Sequence, residues 1–405
     1  MPASTVRTSP VRGLVLSGGG ARGAYEIGVL AYIFQELDPK LWQRARLQIL
    51  SGTSVGAVHA SFLAAAADRP DYDISRLLAV WRSFRLDRVL RLGLRDVVRL
   101  PSSLRAFLQG AELPQGGVVL DSEILQSVVI RDIAWPKIRH NLRARHLDAL
   151  TISATQISSG RNVVFVDSRE AWTPPWSRDP RREGRAVRMR PAHALASAAL
   201  PLLFRAIAID GSYYCDGGLR QNTPVSPALR LGVDRLLVIA TRPRESVAAP
   251  CKAKTLEEYP KPVYLLGKVV DALMLDRLEY DLTRLESVNR LIRDGRAAFG
   301  PDFERRLAET VWRDRGHAFR EVKTVVIRPS RNIGELAAAF ANTIQPNLGG
   351  LPGWLLSKLG HSEAVANTDL MSYLMFDGRF AEQVIQLGMA DADARRAELL
   401  EFMKD

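Results

Sequence analysis

A serine between two glycines, a carboxylate ahead of two more, and three glycines in a row are the residues of this chain with chemistry in them. Ser54 lies in GTSVG, residues 52–56, a G-x-S-x-G pattern behind the apolar residues 47–50 and ahead of a helix-compatible segment. That context suits a nucleophile elbow, a tight strand-to-helix turn in which Gly52 and Gly56 relieve crowding around an exposed hydroxyl. Gly18, Gly19 and Gly20 open GGGARG, residues 18–23, which also holds Arg22 and Gly23. This stretch fits G-x-G-x-x-G between a strand and a helix, with Glu36 and Asp38 about 15–20 positions on, and so reads as a dinucleotide-binding turn. It reads also as a row of backbone N–H groups at a helix N-terminus, able to hold an anion or a developing oxyanion.

A serine nucleophile needs a base. The histidines are His59, His140, His146, His193, His317 and His361. His59 sits five residues past Ser54 on the same helix and projects away from the elbow, so it reads as structural. His140 and His146 fall in an Arg-rich surface stretch, and a Ser-Asp-His order would call on His317 or His361. A carboxylate is the other route. YYCDGGLRQNTP, residues 213–224, places Asp216 ahead of Gly217 and Gly218, which let backbone approach its side chain. The same Asp-Gly pair is also a common turn.

With these segments in view, the chain resembles the patatin-like phospholipases, bacterial relatives of the plant storage lipid hydrolase and of cytosolic phospholipase A2. SGGGARGAYEIGVL, GTSVGAVHAS, ASAALPLLF and DGGLRQNTP stand in that family's order, and the motif core covers residues 12–231. The resemblance implies a Ser54–Asp216 dyad in which the carboxylate takes the serine proton directly. It maps the oxyanion loop onto Gly18, Gly19 and Gly20, and a charge-stabilising loop arginine onto Arg22, with a structural salt bridge as the competing use of that side chain. The motif glycines are Gly23, Gly52, Gly56, Gly217 and Gly218. Asp-Gly-Gly stands here where many members have Asp-Gly-Ala. Near the end of the chain, YLMFDGRFAEQVIQLGMADA resembles the tails of longer bacterial members. The implied function is hydrolysis of carboxylic esters of phospholipids or lysophospholipids through an acyl-enzyme. The alternatives are a Ser-His-Asp esterase of α/β-hydrolase type, a dinucleotide-binding protein and a catalytically silent lipid binder.

The elements that must position these residues alternate between strand and helix. Residues 11–16, 47–51, 147–155, 162–167 and 235–241 read as strands, and 24–35, 55–67 and 193–204 as helices. Residues 168–190 are polar and rich in Arg and Pro. Such alternation implies an α/β fold with a mostly parallel sheet, the patatin-like three-layer arrangement once the resemblance is admitted. After about residue 245 the pattern turns to amphipathic helices at 269–294 and 301–312, one strand at 323–328 and a helical tail. The division expected is a catalytic domain over 12–231 and a mainly helical C-terminal extension over 232–405 packing on it.

Composition bounds the rest. The chain has 405 residues, 47% of them hydrophobic and 25% charged, within the range of globular proteins. No apolar run approaches a membrane span, and the first residues lack the apolar core of a secretory signal, so a cytoplasmic location is expected. Cys215 and Cys251 are too few for a disulfide framework, and no His/Cys cluster has metal-ligand spacing. No cofactor, metal or nucleic acid is called for. Net charge is +12, and only nine of the 56 basic residues are Lys. Arg82, Arg85, Arg88, Arg91, Arg95 and Arg99 recur at helical spacing among apolar residues, and Trp354 sits among leucines in NLGGLPGWLLSKLG, residues 347–360. Both stretches suit peripheral contact with an anionic membrane, and both also suit a solvated helix face and a cap on the core.

Overall fold

Strands that carry apolar side chains on both faces must be covered on both faces. The computed structural model describes residues 9–38, 45–86, 128–169, 180–201, 204–244, 278–315, 319–344 and 371–404. In chain order its strands are β1 (Arg12–Leu16), β2 (Ile49–Thr53), β3 (Ala149–Gln156), β4 (Asn162–Ser168), β5 (Arg182–Ala186), β6 (Ile207–Ile209), β7 (Ser212–Asp216), β8 (Arg235–Ile239) and β9 (Lys323–Ile327). They form one sheet ordered β5-β4-β3-β2-β1-β8-β9, with β7 on the end of β3 and β6 beside β7. The five strands from β3 to β9 on this path are mutually parallel. β4 and β7 both run antiparallel to β3.

The period-2 alternation of a strand splits the core in two. Leu14, Leu16, Leu237 and Ile239 point to one face, where they meet α1 (Ala24–Ala31), α2 (Val55–Ala65) and α3 (Ile74–Ser83). Val15, Leu236 and Val238 point to the other. There they meet α6 (Val225–Arg230) and α7 (Leu278–Phe299), the helices between α3 and α6 being α4 (Trp135–Arg143) and α5 (Pro191–Ser197). The fold is thus a mostly parallel sheet between helical layers, followed by α8 (Asp302–Arg315), α9 (Ile333–Ile344), α10 (Gly378–Ala394) and α11 (Arg396–Met403).

Some expectations shift. β5, REGRA, lies within the stretch read as polar and rich in Arg and Pro; it is an edge strand with no alternation to mark it. α5 stops at Ser197, well short of residue 204. Of the basic stripe, Arg82 is tied to Glu382 at 2.7 Å, and residues 87–99 lie outside the described residues, as do 347–360 with Trp354. Among the described residues no helix is long and apolar enough to cross a membrane.

The last helices belong to the same core. α10 lies along α1, and the two backbones touch where each has a glycine. A Cβ on Gly28 would stand 2.0 Å from the Ile385 carbonyl oxygen, and one on Gly388 would stand 2.3 Å from that of Tyr25. Tyr25 in α1 and Tyr32 just after it donate to Asp391 and Asp393 at 2.9 and 2.6 Å. Paired across β1 and β8, Arg12 and Arg235 donate to the closing carbonyls of α11, including those of Phe402 and Met403. Guanidinium groups there satisfy carbonyls that have no partner within the helix. Because neither backbone at the α1–α10 crossing can yield to a methyl group, Gly28→Ala should lower unfolding stability by about 3 kcal/mol. Urea denaturation measures this, and an unchanged midpoint would contradict the packing described.

Candidate active site

β2 ends at Thr53, and the chain turns at once into α2. Ser54, at the turn, has φ 55° and ψ −126°, a left-handed conformation that strains a residue with a side chain. The crowding expected of an elbow is present: a Cβ on Gly52 would lie 2.2 Å from the Gly56 carbonyl oxygen, and one on Gly56 would lie 2.5 Å from that of Leu16. The Ser54 N–H is held by Ser197 Oγ at 2.8 Å, and that hydroxyl donates to the Ser153 carbonyl at 2.6 Å. Helix α5 thereby pins the elbow to β3.

Asp216 ends β7, whose antiparallel pairing with β3 brings it in beside Ala154. Ser54 Oγ donates to Asp216 Oδ2 at 2.7 Å, and the Gly218 N–H donates to Asp216 Oδ1 at 2.7 Å. The carboxyl is 1% exposed. Burial raises its pKa to about 7, with the Ser54 hydroxyl and the Gly218 N–H pulling the other way. Gly217 has no room for a side chain, since a Cβ would stand 2.2 Å from the Ser153 carbonyl oxygen.

The glycine turn lies directly beside the serine: a Cβ on Gly18 would come within 3.1 Å of Ser54 Cβ. The Gly18 N–H donates to the Asn222 carbonyl at 3.0 Å, and the Gly18 carbonyl accepts from Thr241 Oγ1 at 2.7 Å. Gly18 therefore has no N–H to offer a ligand, against the expectation of three donors. Among the described residues the N–H groups of Gly19 and Gly20 reach no protein acceptor. Gly20, at φ +53°, leads into a 3-10 turn over Gly20–Gly23 and lies against the Tyr373 carbonyl. Arg22 is 2% exposed; its Nε donates to Ser372 Oγ at 2.6 Å, and its guanidinium lies 4.3 Å from the centre of the Tyr373 ring. Gly23 faces Val55 and His59, so the same turn packs on the first turns of α2.

Of the histidines within the described residues, none bonds Ser54. His59 Nδ1 lies 2.7 Å from Glu26 Oε2, and Trp81 Nε1 donates to His59 Nε2 at 3.0 Å. An indole can only donate, so the ring hydrogen sits on Nδ1 and points at Glu26. Burial lowers the His59 pKa to about 3 and lifts that of Glu26 well above the usual carboxylate range. His193 Nδ1 accepts the Arg190 N–H at the start of α5, and His146 pairs with Arg46. His317 and His361, the partners a triad would need, lie outside the described residues. Among the described residues no group of three His, Cys, Asp or Glu side chains is arranged to hold a metal ion.

Four contributors to this arrangement had no role in the sequence reading. Ser197 and Asn222 lie inside segments whose motifs were visible, ASAALPLLF and DGGLRQNTP, but their tasks depend on which backbone groups the fold brings near. Thr241 and Tyr373 come from β8's end and from a segment some 350 residues after the glycine turn, and no local pattern links them to it.

Residues 14–229 match the patatin-like phospholipase family. The chain belongs to that family. It is 30% identical over 213 residues to a cGAMP-activated phospholipase of Pseudomonas aeruginosa, covering 52% of this chain and 53% of that one. It is 24% identical over 248 residues to the uncharacterized protein YjjU of Escherichia coli, covering 61% and 56%. The chain thus spans about half the length of the curated relatives it matches. Among solved structures it is similar to human GIVD cytosolic phospholipase A2 in complex with methyl gamma-linolenyl fluorophosphonate. That comparison has a TM-score of 0.40 and 15% identity, over 97% of this chain and 59% of that one. It is similar also to VipD from Legionella pneumophila, with a TM-score of 0.32 and 14% identity over 94% and 67%.

Burying Asp216 sets a stability test. Its folded pKa, about 7, lies above the ordinary 3.8, so the folded state holds a proton the unfolded chain has lost, and stability falls as pH rises between those values. Asp216→Asn removes the ionisation while its amide can still face Ser54 and Gly218. Its melting temperature should exceed that of the wild type at pH 8 and converge with it at pH 4; a lower value at pH 8 would refute the assigned burial.

Proposed function

We propose that this protein hydrolyses carboxylic esters of phospholipids or lysophospholipids, with Ser54 as nucleophile and Asp216 as its base. The observation that carries the reading is the 2.7 Å bond from the strained Ser54 hydroxyl to the buried Asp216 carboxylate. Family membership supports a lipid as substrate, and the direct bond from Ser54 to Asp216 favours a dyad over a triad.

In the proposed cycle Ser54 Oγ attacks the ester carbon while its proton passes to Asp216 Oδ2. The carbonyl oxygen becomes an oxyanion, and the N–H groups of Gly19 and Gly20 stabilise it. One such donor is worth about 3–4 kcal/mol of barrier in other hydrolases. Collapse expels the alcohol part of the lipid, which takes the proton back from Asp216 and leaves the acyl group on Ser54. Water then gives a proton to Asp216 and hydroxide to the acyl carbon, freeing the fatty acid and restoring Ser54. Arg22, buried and committed to Ser372 and Tyr373, acts by holding the glycine turn rather than by reaching the substrate.

An apolar wall supports the acyl part of the substrate. Leu200, Leu219 and Leu374 are half-buried and gather around Tyr373, with Leu374 also touching the main core. Leu200 follows Ala199, whose carbonyl accepts the Asp216 N–H, and Leu219 follows Gly218. The wall is thus assembled by the segments that frame the dyad.

Two measurements test the reading. A fluorophosphonate probe should label Ser54 in the wild type and nothing in Ser54→Ala, whose ester turnover should fall by about 10⁴-fold or more. Equal labelling of the variant would end the proposal. The base must be ionised to work, so kcat/KM should rise about tenfold per pH unit up to pH of about 7 and then level. A profile flat from pH 5 to 8 would remove Asp216 from the role.

A further inference from the structure

β3 and β7 end in a shared tip at the edge of the sheet that carries Ser54. Gln156 pairs with Tyr214, and the Ile157 N–H donates to the Tyr213 carbonyl at 2.9 Å, which sets Ile157 directly across from Tyr213. Residues opposite each other on an antiparallel ladder share a face. Tyr214 is fully buried against Phe165, so its neighbour Tyr213 turns outward. Tyr213 is 61% exposed and Ile157 51%. Single exposed apolar residues are ordinary, but two across one ladder form a patch.

The patch is ringed by cations. In the turn from β3 to β4, Gly160 lies against the Arg220 guanidinium, and Arg161 follows it. Arg190 reaches the turn between β6 and β7 through Asp210 at 3.0 Å. The other carboxylate here, Glu183, is 2.7 Å from Arg185 and only 3.8 Å from Arg161. Arg220 makes no ion pair among the described residues.

We infer that this tip docks on an anionic bilayer, with Tyr213 and Ile157 entering the interface and Arg161 and Arg220 meeting lipid phosphates; the inference rests on the phospholipase reading above. A tyrosine beside an aliphatic residue suits the boundary of water and acyl chains, and arginines can extend their heads to the phosphate level. Asp216, which bonds Ser54, is level with Ala154, and Ile157 lies three residues further along β3. At about 3.3 Å per residue the tip stands about 10 Å ahead of the elbow. Interfacial groups enter about 5–10 Å, so the elbow stops at the headgroups, where the ester of a lipid can be drawn toward Ser54.

Co-sedimentation of the full chain with phosphatidylcholine vesicles, with and without phosphatidylglycerol, tests this. Wild type should bind only the anionic vesicles, less so in high salt. Arg161→Gln with Arg220→Gln should weaken binding about thirty-fold. Ile157→Ser with Tyr213→Ser should weaken it to a similar degree. Neither pair should alter hydrolysis of a short soluble ester, whereas Ser54→Ala should abolish hydrolysis and bind vesicles as the wild type does. Vesicle binding indifferent to both double variants, or tip-dependent binding to duplex DNA in preference to vesicles, would overturn the docking surface. Tip-dependent vesicle binding without any ester hydrolysis would uphold the surface and remove the hydrolase reading.

Discussion

Keeping a carboxyl group out of water is costly, and the structure around Asp216 is organised by how that cost is limited. The partners of its side chain among the described residues are one hydroxyl and one backbone N–H, Ser54 and Gly218. Neither is a full charge, so the carboxylate stays poorly solvated and its proton affinity stays high. A lysine or arginine in the same place would have stabilised the charged form and lowered its proton affinity. The geometry forces the other elements into position: β7 must reach β3 for Asp216 to arrive, β2 must end in the strained turn, and α5 must hold that turn in place.

The loop that leaves Asp216 does further positioning. Thr53 Oγ1 donates to the Gln221 carbonyl at 3.0 Å, and the next residue, Asn222, takes the Gly18 N–H on its carbonyl. One short segment therefore fixes the end of β2 and the start of the glycine turn relative to the carboxylate. Thr241 completes the set from β8 by donating to the Gly18 carbonyl. Precision of this kind comes from backbone groups paired across sequence-distant segments, which is why it survives on a scaffold whose helices are otherwise held by apolar packing.

What could be read from the sequence follows from how local the information is. β1, β2, β3 and β8 are runs buried on both faces, and an apolar run between turn residues announces such a strand; edge strand β9 is marked by its run Val325–Ile327 instead. β5 is an edge strand whose side chains meet water, β6 is three residues long, and β7 is bounded by the polar Ser212 and Asp216, so no apolar run marks them. The approach of Ser54 to Asp216 was legible only through the order of family motifs, because 162 residues and three reversals of strand direction separate them. The glycine count at 18–20 was visible, but the loss of the Gly18 N–H to Asn222 depends on a backbone carbonyl, which no residue identity encodes.

Tyr373 and the helix behind it have a consequence for how the protein is made. Ser54, Asp216 and the glycine turn are all synthesised before residue 220, yet the turn rests on Tyr373, α1 is covered by α10, and Arg12 waits for the carbonyls of α11. Synthesis at about 5–20 residues per second leaves those surfaces open for about ten to forty seconds while residues 220–404 are added. A nascent chain in that interval has Ser54 but no finished floor beneath the turn beside it. The floor of the glycine turn and the cover of α1 are thereby completed only once Tyr373, α10 and α11 have been made.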